Sequence, residues 1–267
     1  SPTPIPSRPE PMKFSVVTPS LNQAHYLGEC LDSVQASAAL AAPHEVEHIV
    51  IDGGSSDGSV ELLSVRRDIT WVSGPDAGQS NAINKGLAMA TGDVLAYLCA
   101  DDLYEPATIG RVLGIFAEDP EADVVYADYY FLEGDSGRKR RKSAARFDPR
   151  HLRKTNPLGQ PAVWWRRRVY ERFGGFDESL RFCMDHEYWL RLGTGVRWVY
   201  VPEPLAVARL HAGAKTSRHL AAMWNETARM LTRDGWRFKP WWDAFAMGAW
   251  GRHYYRLKRL WFGRRCA

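Results

Sequence analysis

The sequence predicts an α/β fold, a mostly parallel sheet with flanking crossover helices, and three observations carry that expectation. Short apolar runs alternate with longer amphipathic stretches from Phe14 onward, as strands and connecting helices do. The runs end in polar or glycine-rich segments, TPSLN, DGGSSDGS, GPDAGQS and CADD. Finally, 267 residues that are 45% hydrophobic and 25% charged suffice for one sizeable domain or two small ones, which excludes a disordered or fibrous chain.

Taken in order, residues 14–18 read as a strand and 24–37 as a helix. Residues 48–51 form the next strand and 59–66 the next helix, with Asp57 placed to cap it. A strand at 71–73, a helix at 79–90 and a strand at 94–98 complete the first half. Ligands of open parallel sheets bind beyond the carboxyl ends of the strands, so the four polar loops should converge on one crevice. A helix around 106–117 and one or two strands within 123–131 follow. Residues 138–154 hold nine Lys/Arg and one Asp, and read as a basic loop, either functional or merely solvated. Strands at 162–165, 198–201 and 206–210 and a helix at 185–192 close the folded body.

Charge divides the chain unevenly. Residues 236–267 carry eight Lys/Arg and one acid, net +7, so the formal +4 of the whole leaves −3 for residues 1–235. A protein that coats nucleic acid with uniform positive charge is excluded, and no nucleic-acid partner is expected. The four cysteines, Cys30, Cys99, Cys183 and Cys266, include no C-x-x-C pair, which points to a reducing compartment without a disulfide framework or structural zinc. Residues 1–11 contain five prolines and no apolar core segment, and are expected to be a disordered lead.

Several polar residues carry chemistry. Asp101 and Asp102 follow an apolar strand directly; adjacent carboxylates repel, and a divalent cation such as Mn2+ or Mg2+ relieves them while bridging phosphates. Ordinary helix capping is the plainer reading of the same pair. Asp52 ends the strand HIVI ahead of a run of small residues, where it could accept a hydrogen bond from a base imide or ribose hydroxyl, or serve only as a turn residue. Asp76 opens a segment whose helix N-terminus, with Gln79 and Lys85, could face phosphate. Asp185 and Glu187 stand two apart at a helix start, as a base and its understudy, or as a cap and an i,i+4 partner of Arg191.

Together, TPSLN at 18–22, IDGGSSDGS at 51–59, DAGQSNAINKG at 76–86, TGDVLAYLCADD at 91–102, GGFDESL at 174–180, MDHEYWLR at 184–191 and RLHAGAKTS at 209–217 resemble family 2 glycosyltransferases over residues 13–217. The resemblance implies a GT-A fold over residues 12–217, a nucleotide-sugar donor, UDP-sugar first, and transfer with inversion. It implies that Pro19, Ser20 and Asn22 line the nucleoside pocket, that Asp52 contacts the base and that Asp76 belongs to the same wall. It further implies that Asp101 faces the ribose or sugar, that Asp102 ligates the metal with His211 as a further ligand, and that Asp185 is the base. Leu21 departs from the family pattern, in which an aromatic residue often stands there.

The remaining residues, 218–267, are expected to form a helical extension. Trp250, Tyr254, Leu257 and Trp261 fall on one helical face with cations on the others, so the tail could lie on an anionic membrane surface near a saccharide or lipid-linked acceptor. The expected address is cytoplasmic, peripheral to the inner face of the plasma membrane. A nucleotidyltransferase, or a non-catalytic module binding nucleotide-sugar or nucleic acid, are the alternatives.

Overall fold

A computed structural model of the chain describes residues 10–133, 137–145, 147–153, 156–211, 213–215 and 219–233. The expected tail at 236–267 lies outside the described residues, as does most of the lead. The described residues fall into two compact units: those up to 179 with 184–211, and 180–183 with those between 213 and 233.

In the first unit, β1 (Lys13–Ser20), β2 (Glu45–Asp52), β3 (Thr70–Ser73) and β4 (Val94–Tyr97) form a parallel sheet in the order β3-β2-β1-β4. Helices α1 (Ala24–Ala39), α2 (Ser59–Ser64) and α3 (Gln79–Met89) make the crossovers, as the alternation of apolar and amphipathic runs predicts. α1 buries Leu27, Cys30, Leu31 and Val34, an i, i+3, i+4, i+7 stripe. Because β1 is central, seven of its eight residues are buried.

Beyond β4 the sheet turns mixed. β5 (Leu103–Tyr104) and α4 (Thr108–Glu118) lead into the long β6 (Val124–Glu133). β8 (Val163–Arg166) inserts antiparallel between β4 and β6, and β9 (Trp198–Leu210) runs parallel to β6 on its other side. Where two short strands are expected at 198–201 and 206–210, β9 is continuous, its register against β6 shifting around Asp128. β7 (Arg138–Lys142) corrects the reading of 138–154 as loop throughout: it pairs antiparallel with β6, and all five of its residues are exposed cations. α5 (Arg167–Phe173) follows β8, and α6 (Met184–Leu192) precedes β9.

Inside this unit the buried His48 shares a 2.8 Å hydrogen bond with Thr18 Oγ1, and burial lowers its pKa from 6.5 to about 4. The folded state therefore binds fewer protons than the unfolded chain between those values. Unfolding free energy is expected to decline as pH falls from about 6.5 towards 4, and His48→Gln to flatten that segment of a urea-denaturation series.

In the second unit, α7 (Leu220–Arg233) carries the buried Glu226. Its carboxylate accepts the amides of Arg181, Phe182 and Cys183 at 2.9, 2.6 and 3.0 Å. Three such bonds satisfy consecutive backbone donors and hold the carboxyl below its usual range against the opposing effect of burial, the largest single cause. No helix among the described residues is long and apolar enough to cross a membrane.

Candidate active site

The carboxyl ends of β1, β2, β3 and β4 do carry the polar loops, and the loops are tied to one another. Asn22 adopts a left-handed backbone, φ 52°, which its short polar side chain tolerates. Its amide donates to Ser55 Oγ at 2.7 Å and its Oδ1 accepts the Ser56 amide at 2.9 Å. Gly58, not Asp57, is the N-cap of α2; Asp57, one residue earlier, accepts the amide of Ser59, the first helical residue, at 3.1 Å and the Ala24 amide at the start of α1 at 2.9 Å.

Asp52 is fully buried. Its Oδ2 accepts the amides of Gly54 and Ser55 and the hydroxyl of Ser73 at 3.1, 2.9 and 2.7 Å, and its Oδ1 accepts Ser55 Oγ at 2.5 Å. These bonds let the carboxylate shape the rim. Gly53 keeps the space there open, because a Cβ would come within 2.8 Å of Asp76 Oδ2 and 3.3 Å of Leu21, and one of these side chains would have to shift. Leu21, half exposed at 53%, and Asp76 therefore border the same small space. Pro19 and Ser20 are buried at the end of β1, and the Ser20 hydroxyl has no hydrogen-bond partner among the described residues. Asp76 receives the Gly78 amide at 2.8 Å, while exposed Lys85 reaches back to the Pro75 carbonyl at 3.4 Å.

The second cluster follows β4. Asp102 is buried, and its Oδ1 accepts the Arg209 amide at 3.0 Å. Burial, then the neighbouring Asp101 charge, push its carboxyl well above the usual range. Asp101 Oδ2 lies 3.0 Å from His211 Nε2. Cys99, Asp101 and Asp102 each present a ligand atom within 4.8 Å of the others. A buried carboxylate raised by a second one, beside an imidazole, fits a hard divalent cation; the Cys99 sulfur suits such an ion less well. Arg209 braces this cluster, donating to the Asp101 carbonyl at 3.1 Å and to Glu29 at 2.5 Å, with its guanidinium over the Tyr26 ring.

Asp185 stands in the first turn of α6, partly enclosed, and burial raises its pKa. Its Oδ1 accepts the amide of His186, whose ring is held by the Leu152 carbonyl. Glu187, offered as an understudy base, is instead buried and forked onto Arg191 at 2.9 and 3.0 Å. Arg191 in turn binds the carbonyls of Phe173 and Gly175, so Glu187 fastens α6 to the preceding turn. Tyr97 is buried, which chiefly raises its phenol, and the charges of Asp185, Cys99 and Asp102 raise it further.

Sequence reasoning passed over Gln160. It donates to the Tyr97 carbonyl at 2.7 Å and accepts from Cys99 Sγ at 3.6 Å, while Gln79 donates to the same sulfur at 3.2 Å. Its signal was weak, an uncharged residue between Gly159 and Pro161.

Residues 15–186 match the sequence profile of Glycosyl transferase family 2. A PGL/p-HBAD biosynthesis glycosyltransferase of Mycobacterium tuberculosis is 28% identical over 190 residues, 67% of this chain and 68% of that protein. Among solved structures, S. aureus TarS 1–349 in complex with UDP-GlcNAc aligns with TM-score 0.67 at 17% identity, over 83% of this chain and 66% of that one. The mannosyltransferase PcManGT from Pyrobaculum calidifontis, in complex with GDP-Man and Mn2+, aligns with TM-score 0.64 at 20% identity, over 92% and 73%. These neighbours share the GT-A fold, a curled, mostly parallel sheet with flanking helices. The nucleotidyltransferase and non-catalytic alternatives give way to this match, and the chain belongs to glycosyl transferase family 2.

Proposed function

We propose that this glycosyltransferase moves a sugar, with inversion, from a nucleoside diphosphate sugar to a hydroxyl of a saccharide or lipid-linked saccharide, with Mn2+ or Mg2+ bound at the acidic pair. The observation that carries the reading is the clustering of Asp102, Asp101 and His211 beyond β4, with Asp101 Oδ2 3.0 Å from His211 Nε2, together with a separate carboxylate, Asp185, in the first turn of α6. One supplies a cation site and the other a base, which are the two functions that inverting transfer from a diphosphate requires.

In this reading Asp102, Asp101 and His211 hold the cation, which when bound neutralises charge on the departing diphosphate. Asp185, with Oδ1 engaged by the His186 amide, takes the acceptor hydroxyl proton on Oδ2. The space bordered by Pro19, Ser20, Leu21, Gly53 and Asp76 takes the base, with Asp52 keeping its rim in shape. The N-terminus of α3, with Gln79 and Lys85 on that helix, faces phosphate. UDP is the first choice of nucleotide; TarS was solved with UDP-GlcNAc and PcManGT with GDP-Man, so both bases belong in the test. Residues 12–217 would form the catalytic domain, and 218–267 an extension that brings it to an anionic membrane surface carrying the acceptor.

A panel of UDP- and GDP-sugars, assayed for hydrolysis and transfer with Mn2+, Mg2+ or chelator, tests this. Turnover restricted to metal-containing reactions and an inverted anomeric centre by NMR are expected. Metal-independent turnover would remove Asp102 from its role, and retention of configuration would remove Asp185.

A further inference from the structure

One exposed carboxylate joins α3 to the turn ahead of α6. Asn81 and Asn84 lie three residues apart on α3, and so share a face. The backbone sets the polarity of both amides. Asn84 Oδ1 accepts the Phe176 amide at 2.8 Å while its Nδ2 donates to the Phe176 carbonyl at 2.9 Å. Asn81 Oδ1 accepts the Ala77 amide at 3.3 Å. Each side chain then has an Nδ2 hydrogen to place, and both go to Glu178: Asn81 to Oε2 and Asn84 to Oε1, each at 2.9 Å. Two donors of fixed orientation demand two acceptors, which an ionised carboxylate provides and an amide does not. The two bonds, that from Asn84 first, hold the Glu178 carboxyl below its usual range. Gly175 makes the approach possible, since a Cβ there would run into Asn84 Oδ1.

The two ends of this bridge differ in kind. Ala77 follows Asp76 in the loop assigned to the donor. Phe176 packs edge-on against Tyr97, with centroids 5.1 Å apart, and at a tilt against Tyr188 of α6 at 4.5 Å, one turn beyond Asp185. We propose that Glu178 is a positioning residue that sets the donor loop at Asp76 in register with the helix bearing the base, so that nucleotide-sugar and Asp185 are held in one geometry. This rests on the functional reading above.

A polarity swap tests it. Glu178→Gln turns an NH2 against one of the two asparagine NH2 groups. Asn81→Asp keeps an oxygen for Ala77 but sets its other oxygen against Glu178. In the double variant the new amide donates to the new carboxylate, and the bridge closes again. Each single variant is expected to raise donor KM and lower kcat by about five- to tenfold, the scale of one or two hydrogen bonds to a charged group at an exposed site. The double variant is expected to return both parameters to within about twofold of wild type. Additive losses, or single variants that melt lower with unchanged kinetics, would overturn the role. A wild-type chain that turns over no donor overturns the functional reading itself, and this role with it. An active wild type whose variants fail to compensate overturns this role alone.

Discussion

Asp185→Asn is expected to lower kcat by about 10²- to 10⁴-fold while leaving donor KM within a few fold, because the amide keeps the side-chain shape but accepts no proton. The pH profile provides a second readout. Burial raises the Asp185 pKa above the ordinary 3.8, and the base acts only when ionised. The acid limb of kcat should therefore lie above the range of an exposed aspartate, and it should vanish from whatever activity the variant retains. Steady-state kinetics from acid to neutral pH measure both effects. An unchanged kcat would move the base elsewhere, and Glu187 would be a poor successor, since it is already forked onto Arg191.

Asp102→Asn separates function from stability. The Asn Oδ1 can still accept the Arg209 amide, so the local fold should survive. The charge proposed to hold a cation is lost, and turnover is expected to fall by about 10³-fold or more, with metal no longer strengthening nucleoside diphosphate binding in calorimetry. In chelator the same variant is expected to melt above wild type. The folded pKa of Asp102 is raised by burial and by Asp101, so the folded state binds its proton more tightly than the unfolded chain does. Stability then declines as pH rises above the unfolded value of 3.8, and at neutral pH the ionised group is a burden that Asn removes. Metal-enhanced nucleotide binding that persisted in the variant would refute the assignment.

How much of this was legible in the sequence depends on what each element buries. β1, β2 and β4 are buried strands between amphipathic helices, so period and length alone announce them. β7 is RKRRK, five cations with no apolar alternation; only its pairing with Tyr129–Glu133 of β6 makes it a strand. α5 begins with two arginines that follow Arg166, which conceal its start. The acidic pair and His211 stand out because charge and strand ends coincide, and Asp185 because it opens a helix. Asp52 was readable as important, but its hold on its own loop depended on Ser73, 21 residues away. The work of Glu178 was hidden for the same reason, its partners lying 94 and 97 residues earlier.

The cationic strand β7 has a further consequence, for how copies of this chain meet. Among the described residues it pairs only with β6, so its outer edge presents backbone donors and acceptors with no strand against them. A second copy adding its own β7 there would bring two rows of arginine and lysine within strand spacing, and like charges directly opposite oppose such pairing. Three of the five are matched within the chain, Lys139 by Glu105, Arg140 by Glu133 and Arg141 by Asp128, so the cationic row is a brake on edge-to-edge growth of the sheet and not a bar to it.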